Sequence, residues 1–346
     1  MSHSGQIILT LQSCRVVVNS VLMRSLIFII FILLVGCTAE APRDNPFDPN
    51  AEIYKNAAAL EGTVIQKAPP YQGIPDAEVR LLNGRGEYQL TDSQGRFRFE
   101  RLPEDTVQLQ VNKSGYGEVV RDVPLPARDV EIVLNGRPQI DSLKIYTTHR
   151  SYWWPVEEEY MLTIEAWSSD VDGIGDLDSV WFLVPADSMI VGSSAPFTAG
   201  EPVSVELYDW QLSGPVTDLV GRMFTCYARD VDSLISAPAV VSISRFIEGS
   251  PVPMAPVGDE QTGPRPTLRW DYFNASYTFY YTIDVYRITA GNTAVHMFGK
   301  QEIPRSKTEF TLPDSLPPGS YYWTLGVMDR FENSSYSKEA TFTVPQ

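Results

Sequence analysis

Cysteine, histidine and basic charge are all scarce in this chain. Its 346 residues include only 3 Cys and 3 His, which leaves few soft metal ligands and almost no imidazole for general acid–base work. With 27 Lys and Arg against 43 Asp and Glu, the formal net charge is −16. Binding through phosphates needs clustered Lys and Arg, so nucleic acid is excluded as a partner. The apolar run Leu26–Val35 stops after 10 residues, where a bilayer-spanning helix needs about 20. There is no Gly-x-Ser-x-Gly elbow, no Gly-rich phosphate loop and no His-Glu-x-x-His pair, and the sequence predicts a protein that is not an enzyme. What is present is material for packing. At 43% hydrophobic and 11% aromatic, the chain can fill several cores, and 26 Pro with 23 Gly point to many short strands joined by turns. The length suits about two or three domains.

The short apolar run follows Arg24 and ends in Leu34-Val35-Gly36-Cys37, the layout of a secretory leader with a basic start and a small-residue cleavage site. Met23 directly precedes the basic residue and is the expected true start. The last four residues resemble the lipobox of bacterial lipoproteins. That resemblance implies cleavage before Cys37, a diacylglycerol on its thiol and an acylated amine. Residues 1–36 are then the signal peptide, and their removal takes away Arg15 and Arg24 but no acid, leaving 25 basic and 43 acidic side chains, a net charge of −18. Thr38 stands where lipoproteins kept at the inner membrane typically carry Asp, so the resemblance implies a lipid anchor in the outer membrane, on its periplasmic or surface face. Residues 37–57, with Asn45-Pro46-Phe47-Asp48-Pro49 at their centre, are Pro-rich and polar and are expected to form a spacer.

Beyond the tether the sequence predicts an all-β chain of three β-sandwich domains in tandem, at 58–136, 137–248 and 249–346. In the first, apolar alternation marks Ala77–Leu81, Phe97–Phe99, Val107–Val111 and Val130–Leu134 as half-buried strands. Asp92–Gly95 is expected to be a hairpin turn with Gly95 at positive φ and Phe97 and Phe99 facing the core. The wording Leu60-Glu61-Gly62-Thr63-Val64, Ile74-Pro75-Asp76-Ala77, Thr91-Asp92-Ser93-Gln94-Gly95 and Ser114-Gly115-Tyr116 resembles the carboxypeptidase regulatory-like domain. That resemblance implies a transthyretin-like, carbohydrate-binding-like sandwich with no catalytic residues of its own.

In the second domain, Tyr160–Trp167, Ser179–Val184, Met223–Ala228 and Val240–Phe246 make a sandwich pattern that looks immunoglobulin-like, without an inter-sheet disulfide. Cys226 falls within an alternating strand, as a small apolar residue. The third domain carries Pro266–Trp270, Tyr281–Tyr286, a Pro317-Pro318-Gly319 turn leading into Ser320–Val327, and Ala340–Val344. It resembles a fibronectin type III domain, in which Trp270 and Tyr322 would be core anchors.

Two groups of residues are candidates for binding. Asp170, Asp172, Asp176 and Asp178 alternate through a Gly-bearing loop, and Asp230 and Asp232 form a second acidic loop. Converging carboxylates are what calcium requires. An EF-hand counted from Asp170 fails, because Ile174 and Trp181 occupy positions that need oxygen ligands. The alternative is Asx turns in a solvated loop. The second group is Trp153 and Trp154. Exposed, they could stack on a sugar or anchor a partner protein; their place near the start of the second domain favours burial. Diacylglycerol and acyl groups on Cys37, with calcium as a candidate ion, are the only added groups the residues suggest. The expected function is a non-enzymatic envelope lipoprotein displaying β-sandwiches to an envelope protein or a glycan. The alternative is a carbohydrate-binding accessory lipoprotein of a glycan-processing system.

Overall fold

The structure, a computed structural model, describes residues 51, 57–83, 86–153, 157–185, 189–291 and 293–346. The chain is all-β, with sandwich-like domains built from several sheets. The described residues divide into two compact units, one of those up to 64 with those of 75–111 and 119–132, the other of those of 65–74, 112–118 and 133–346.

The N-terminal strands are β1 (Ala58–Gln66), β2 (Glu78–Leu81), β3 (Tyr88–Leu90), β4 (Arg96–Leu102), β5 (Thr106–Asn112), β6 (Val119–Pro124) and β7 (Ala127–Leu134). They form two sheets, in the orders β4-β1-β7 and β3-β2-β5-β6. Alternation puts Leu60, Val79, Leu81, Phe97, Phe99, Val107, Leu109 and Val111 inside, because every second side chain of a strand points to the same face. Gly95 has φ of 77° and donates its N–H to Asp92 O at 2.9 Å, while Asp92 Oδ1 accepts from Gln94 N and Arg96 N, each at 2.8 Å. The Asp92–Gly95 turn is thus as the sequence predicts. Gly62 is opposite Phe97 across β1 and β4, and any Cβ there would lie 2.5 Å from Phe97 Cζ, so the ring needs a bare backbone beneath it.

The second unit continues with β8 (Gln139–Tyr152), β9 (Glu157–Ser169), β10 (Leu177–Val184), β11 (Met189–Ser194), β12 (Val203–Tyr208), β13 (Met223–Asp230) and β14 (Ala239–Ser242). After them come β15 (Pro253–Ala255), β16 (Glu260–Gln261), β17 (Thr267–Trp270), β18 (Phe279–Ile288), β19 (Ala294–Pro304), β20 (Glu309–Thr311), β21 (Gly319–Asp329), β22 (Ser334–Tyr336) and β23 (Ala340–Val344). One core gathers Leu162, Ile164, Val180, Phe182, Phe224 and Cys226; another gathers Trp270, Tyr281, Tyr321, Trp323 and Phe342. Between them the lining changes at Phe246 and Ile247. The sheet does not break there. Its order is β12-β9-β8-β22-β21-β18-β19, with β23 also on β21 and β16 on β23, and β22 joins β8 in parallel, Ser334 opposite Thr148 and Tyr336 opposite Arg150.

Trp270 and Cys226 are buried as expected. Tyr322 is not a core anchor. It stacks on Tyr286 with ring centroids 4.9 Å apart on the opposite face of β21, while Tyr321 and Trp323 fill the core. A shift of one residue along a strand exchanges its faces. Two polar contacts fix this register: Tyr321 donates its hydroxyl proton to Pro317 O at 2.6 Å, and Trp323 Nε1 donates to Pro256 O at 2.9 Å.

Candidate functional site

The two acidic loops of the second unit are built on the ends of strands. Asp230 closes β13 and turns the chain back: Ser233 N donates to Asp230 O, Asp230 N to Leu234 O, and Leu234 N to Asp230 Oδ1 at 2.8 Å. Ser233 sits at φ of 73°. The same arrangement recurs where β21 ends. There Glu332 N reaches Asp329 O, Asp329 N reaches Asn333 O, Asn333 N reaches Asp329 Oδ1 at 3.1 Å, and Glu332 has φ of 66°. In both loops an Asp carboxylate receives the backbone N–H four residues on, which satisfies a donor that the ending ladder would leave bare.

Asp170, Asp172 and Asp176 converge, each offering one carboxylate oxygen within 4.8 Å of the others. Backbone geometry holds them. Asp172 N donates to Asp170 Oδ1 at 2.8 Å, and the two oxygens of Asp172 accept from Ala68 N at 3.1 Å and Gly136 N at 2.5 Å. Lys67 Nζ bridges Asp176 Oδ1 at 2.7 Å and Asp232 Oδ2 at 2.5 Å. Asp230 is buried, and its Oδ2 accepts from Asn135 Nδ2 at 2.7 Å. Burial, reinforced by the charges of Asp176, Asp172 and Asp230, pushes the Asp170 carboxyl up to about 6 despite the Asp172 N–H. The Lys67 ammonium is held well above the usual lysine range by its two carboxylate partners, which outweigh its partial desolvation. Asp178, on β10, does not join them; its Oδ2 takes Arg229 Nε at 3.0 Å and Nη2 at 2.5 Å. The structure therefore brings Asp170, Asp172 and Asp176 together, ties Asp232 to them through Lys67, sets Asp230 among their electrostatic neighbours, and leaves Asp178 outside.

Trp153 is 60% exposed, which corrects the expectation of burial. Its Nε1 donates to Glu339 O at 2.8 Å and the Lys338 ammonium lies 4.6 Å from the ring centroid, fixing the indole at the rim of a groove. The groove encloses about 620 Å³, and its walls are mostly carbon, with Pro251, Val252, Pro253, Val257 and Ala340. Trp154 and Cys37, with the leader and all of the tether except Ala51 and Ala57, lie outside the described residues. Two residues before Ser151 of the groove, His149 is buried and partnered. Its Nδ1 is 2.9 Å from Ser335 Oγ, its Nε2 is 2.7 Å from Glu158 Oε2, and Tyr160 stacks on the ring at 4.5 Å. Ser335 has no exposed surface, so a Ser–His–Glu arrangement here offers no hydroxyl to a substrate and serves to bind β8, β9 and β22 together. Cys226 is likewise packed away, with burial pushing its thiol up to about 12.

Residues 59–135 match the carboxypeptidase regulatory-like domain. The domain thus ends just before Gly136, whose N–H holds Asp172. Among solved structures the chain is similar to the FN1–FN3 domains of chicken CNTN1, with a TM-score of 0.33, 10% identity and coverage of 84% of this chain and 96% of that one. It is also similar to BcpA, the major pilin subunit of Bacillus cereus, with a TM-score of 0.30, 11% identity and coverage of 84% and 95%. At such low scores neither neighbour bears on function. No curated protein matches the chain.

The groove was hidden from sequence reasoning because its walls come from residues 151–153, 250–258 and 338–341, three stretches with no shared motif. Lys67 and Asn135 were missed for the same reason. Lys67 lies 109 residues from its partner Asp176, and no local spacing signals such a pairing.

Proposed function

We propose that this chain is a lipid-anchored, non-enzymatic envelope protein that holds an apolar side chain of a partner protein in the groove at Trp153. The observation that carries the reading is an indole left 60% exposed beside walls of Pro, Val and Ala. Exposed aromatic anchors next to apolar pockets are where binding energy concentrates at protein interfaces. A sugar would stack on the same indole, but it also needs hydrogen-bond partners around its ring. The groove offers few. Ser151 Oγ already donates to Glu158 Oε1 at 2.8 Å, and the remaining polar side chains are Ser250, Lys338, Glu339 and Thr341 on otherwise apolar walls. Lipid on Cys37 would tether the protein in the outer membrane.

A photo-reactive residue at Val252, introduced into the full chain in intact envelopes, tests the groove. The expected result is a discrete protein adduct that falls at least about tenfold on Trp153→Ala, the scale of a hot-spot loss. Glycan-array binding that disappears on Trp153→Ala, with no protein adduct, would transfer the site to the carbohydrate-binding reading. The anchor is tested separately by fatty-acid labelling, which Cys37→Ser should abolish together with membrane association.

A further inference from the structure

Five carboxylates, Asp170, Asp172, Asp176, Asp230 and Asp232, gather in the acidic loops of the second unit around one ammonium, Lys67. Lys67 reaches only Asp176 and Asp232. Asp172 and Asp230 have both oxygens engaged by N–H donors. Two buried oxygens are left over: Asp170 Oδ2 and Asp176 Oδ2 receive no hydrogen bond from the described residues. Asp176 keeps only 11% of its side-chain surface in solvent. A third oxygen in the same condition is Asn135 Oδ1, on the residue whose amide holds Asp230. Buried oxygens with unused lone pairs are costly unless something positive meets them.

We infer that Asp170, Asp172 and Asp176 form a calcium site. The chemistry of the donors selects the ion. All are hard oxygens, which exclude the soft metals. Calcium accepts six to eight oxygens in flexible geometry, with water completing the shell, and a loop that supplies three carboxylates at its own spacing suits it better than the near-ideal octahedron of magnesium. Asp176 can serve both cations at once, with Oδ1 on Lys67 and Oδ2 toward the ion. Asp172 is positioned by Ala68 N and Gly136 N, and its oxygens keep a second lone pair each. The site joins the Asp170 loop to the 65–74 segment and Gly136 of the same unit. It shares no residue with the Trp153 groove, and neither depends on the other.

Calorimetric titration of the full chain with calcium chloride, after chelation and removal of the chelator, tests the inference. The expected result is one saturable site per chain with a dissociation constant of about 1 mM or tighter, the range of extracellular calcium modules, and a thermal transition that rises with calcium. Asp176→Asn keeps an oxygen for Lys67 and should weaken binding at least about tenfold. Asp178→Asn, on a residue paired with Arg229 outside the cluster, should leave it unchanged. No saturable binding up to about 10 mM, beyond the weak end of that range, overturns the inference. So does an equal loss in the Asp178→Asn chain, which would mark diffuse attraction to acidic loops. Should Asp176→Asn fail to fold, the unsubstituted and Asp178→Asn chains decide: saturable binding that Asp178→Asn leaves unchanged supports the site, and no saturable binding, or a loss of about tenfold in Asp178→Asn, overturns it.

Discussion

Replacing Asn333 by Ala tests how the two cores of the second unit are held together. Asn333 is 1% exposed, and its amide meets β8, β21 and Ser244 beyond the end of β14. Oδ1 accepts from Thr147 N and Thr147 Oγ1, each at 3.1 Å, and Nδ2 donates to Ser244 Oγ at 2.9 Å and Asp329 Oδ2 at 3.0 Å. Some of these groups keep other partners in the variant. Thr147 Oγ1 still reaches Arg245 O at 3.0 Å, and Asp329 Oδ1 still accepts from Phe331 N and Asn333 N. The Thr147 N–H does not. An orphaned buried donor costs about 1–3 kcal/mol, and the lost bond to the Asp329 carboxylate adds about 1.5–3 kcal/mol. Partial relaxation brings the expected total to about 3 kcal/mol. For a unit of this size that is about 6–12 °C in Tm. Thermal unfolding of the full chain, followed by calorimetry and by tryptophan fluorescence, reads the shift. Because β8 and β22 carry the sheet across both cores, the two should melt together and move together. A shift below about 2 °C, or a variant in which one core melts early while the other keeps its original Tm, refutes the reasoning.

Two further outcomes follow from the packing. The Cys226 thiol, buried and pushed up to about 12, stays protonated well past pH 8, so its peptide should remain unalkylated in the folded chain at pH 8 to 9 and become labelled in denaturant, as read by mass spectrometry; labelling at the rate of a free thiol would contradict its burial. Tyr321→Phe removes the hydroxyl from Pro317 O and should cost about 1 kcal/mol, the net worth of a typical hydrogen bond, measured by urea unfolding; a variant as stable as the parent would show that the hydroxyl merely accompanies ring burial.

Much of the fold was legible in the sequence because alternation survives wherever one strand face is dry. Leu109 between Val107 and Val111, or Phe182 between Val180 and Val184, needs no further information. β8 was illegible for the opposite reason. Its buried positions include Thr147, Thr148, His149 and Ser151, polar residues whose hydrogen bonds run to Asn333, β22 and Glu158, so no apolar period marks it. β19 is an edge strand that is exposed along nearly its whole length and carries no alternation either. In Tyr321-Tyr322-Trp323 every residue is aromatic, and periodicity alone cannot say which two face inward. The Asp loops were legible as loops, since Asp and Gly at turns have local causes. The oxygens left without donors were not, because that depends on where Lys67, Ala68 and Gly136 lie in space.

The parallel pairing of β8 with β22 changes what the connecting segment between the two cores of the second unit is for. Strands from both sides of Phe246 and Ile247 share one hydrogen-bonded ladder, so a chain nicked in that segment would remain a single particle. Fragments ending and beginning there would be expected to find each other when made separately, as two halves of one sheet. In evolutionary terms these sandwiches would be inherited as a pair, since either one alone would expose the polar edge that β8 or β22 now covers.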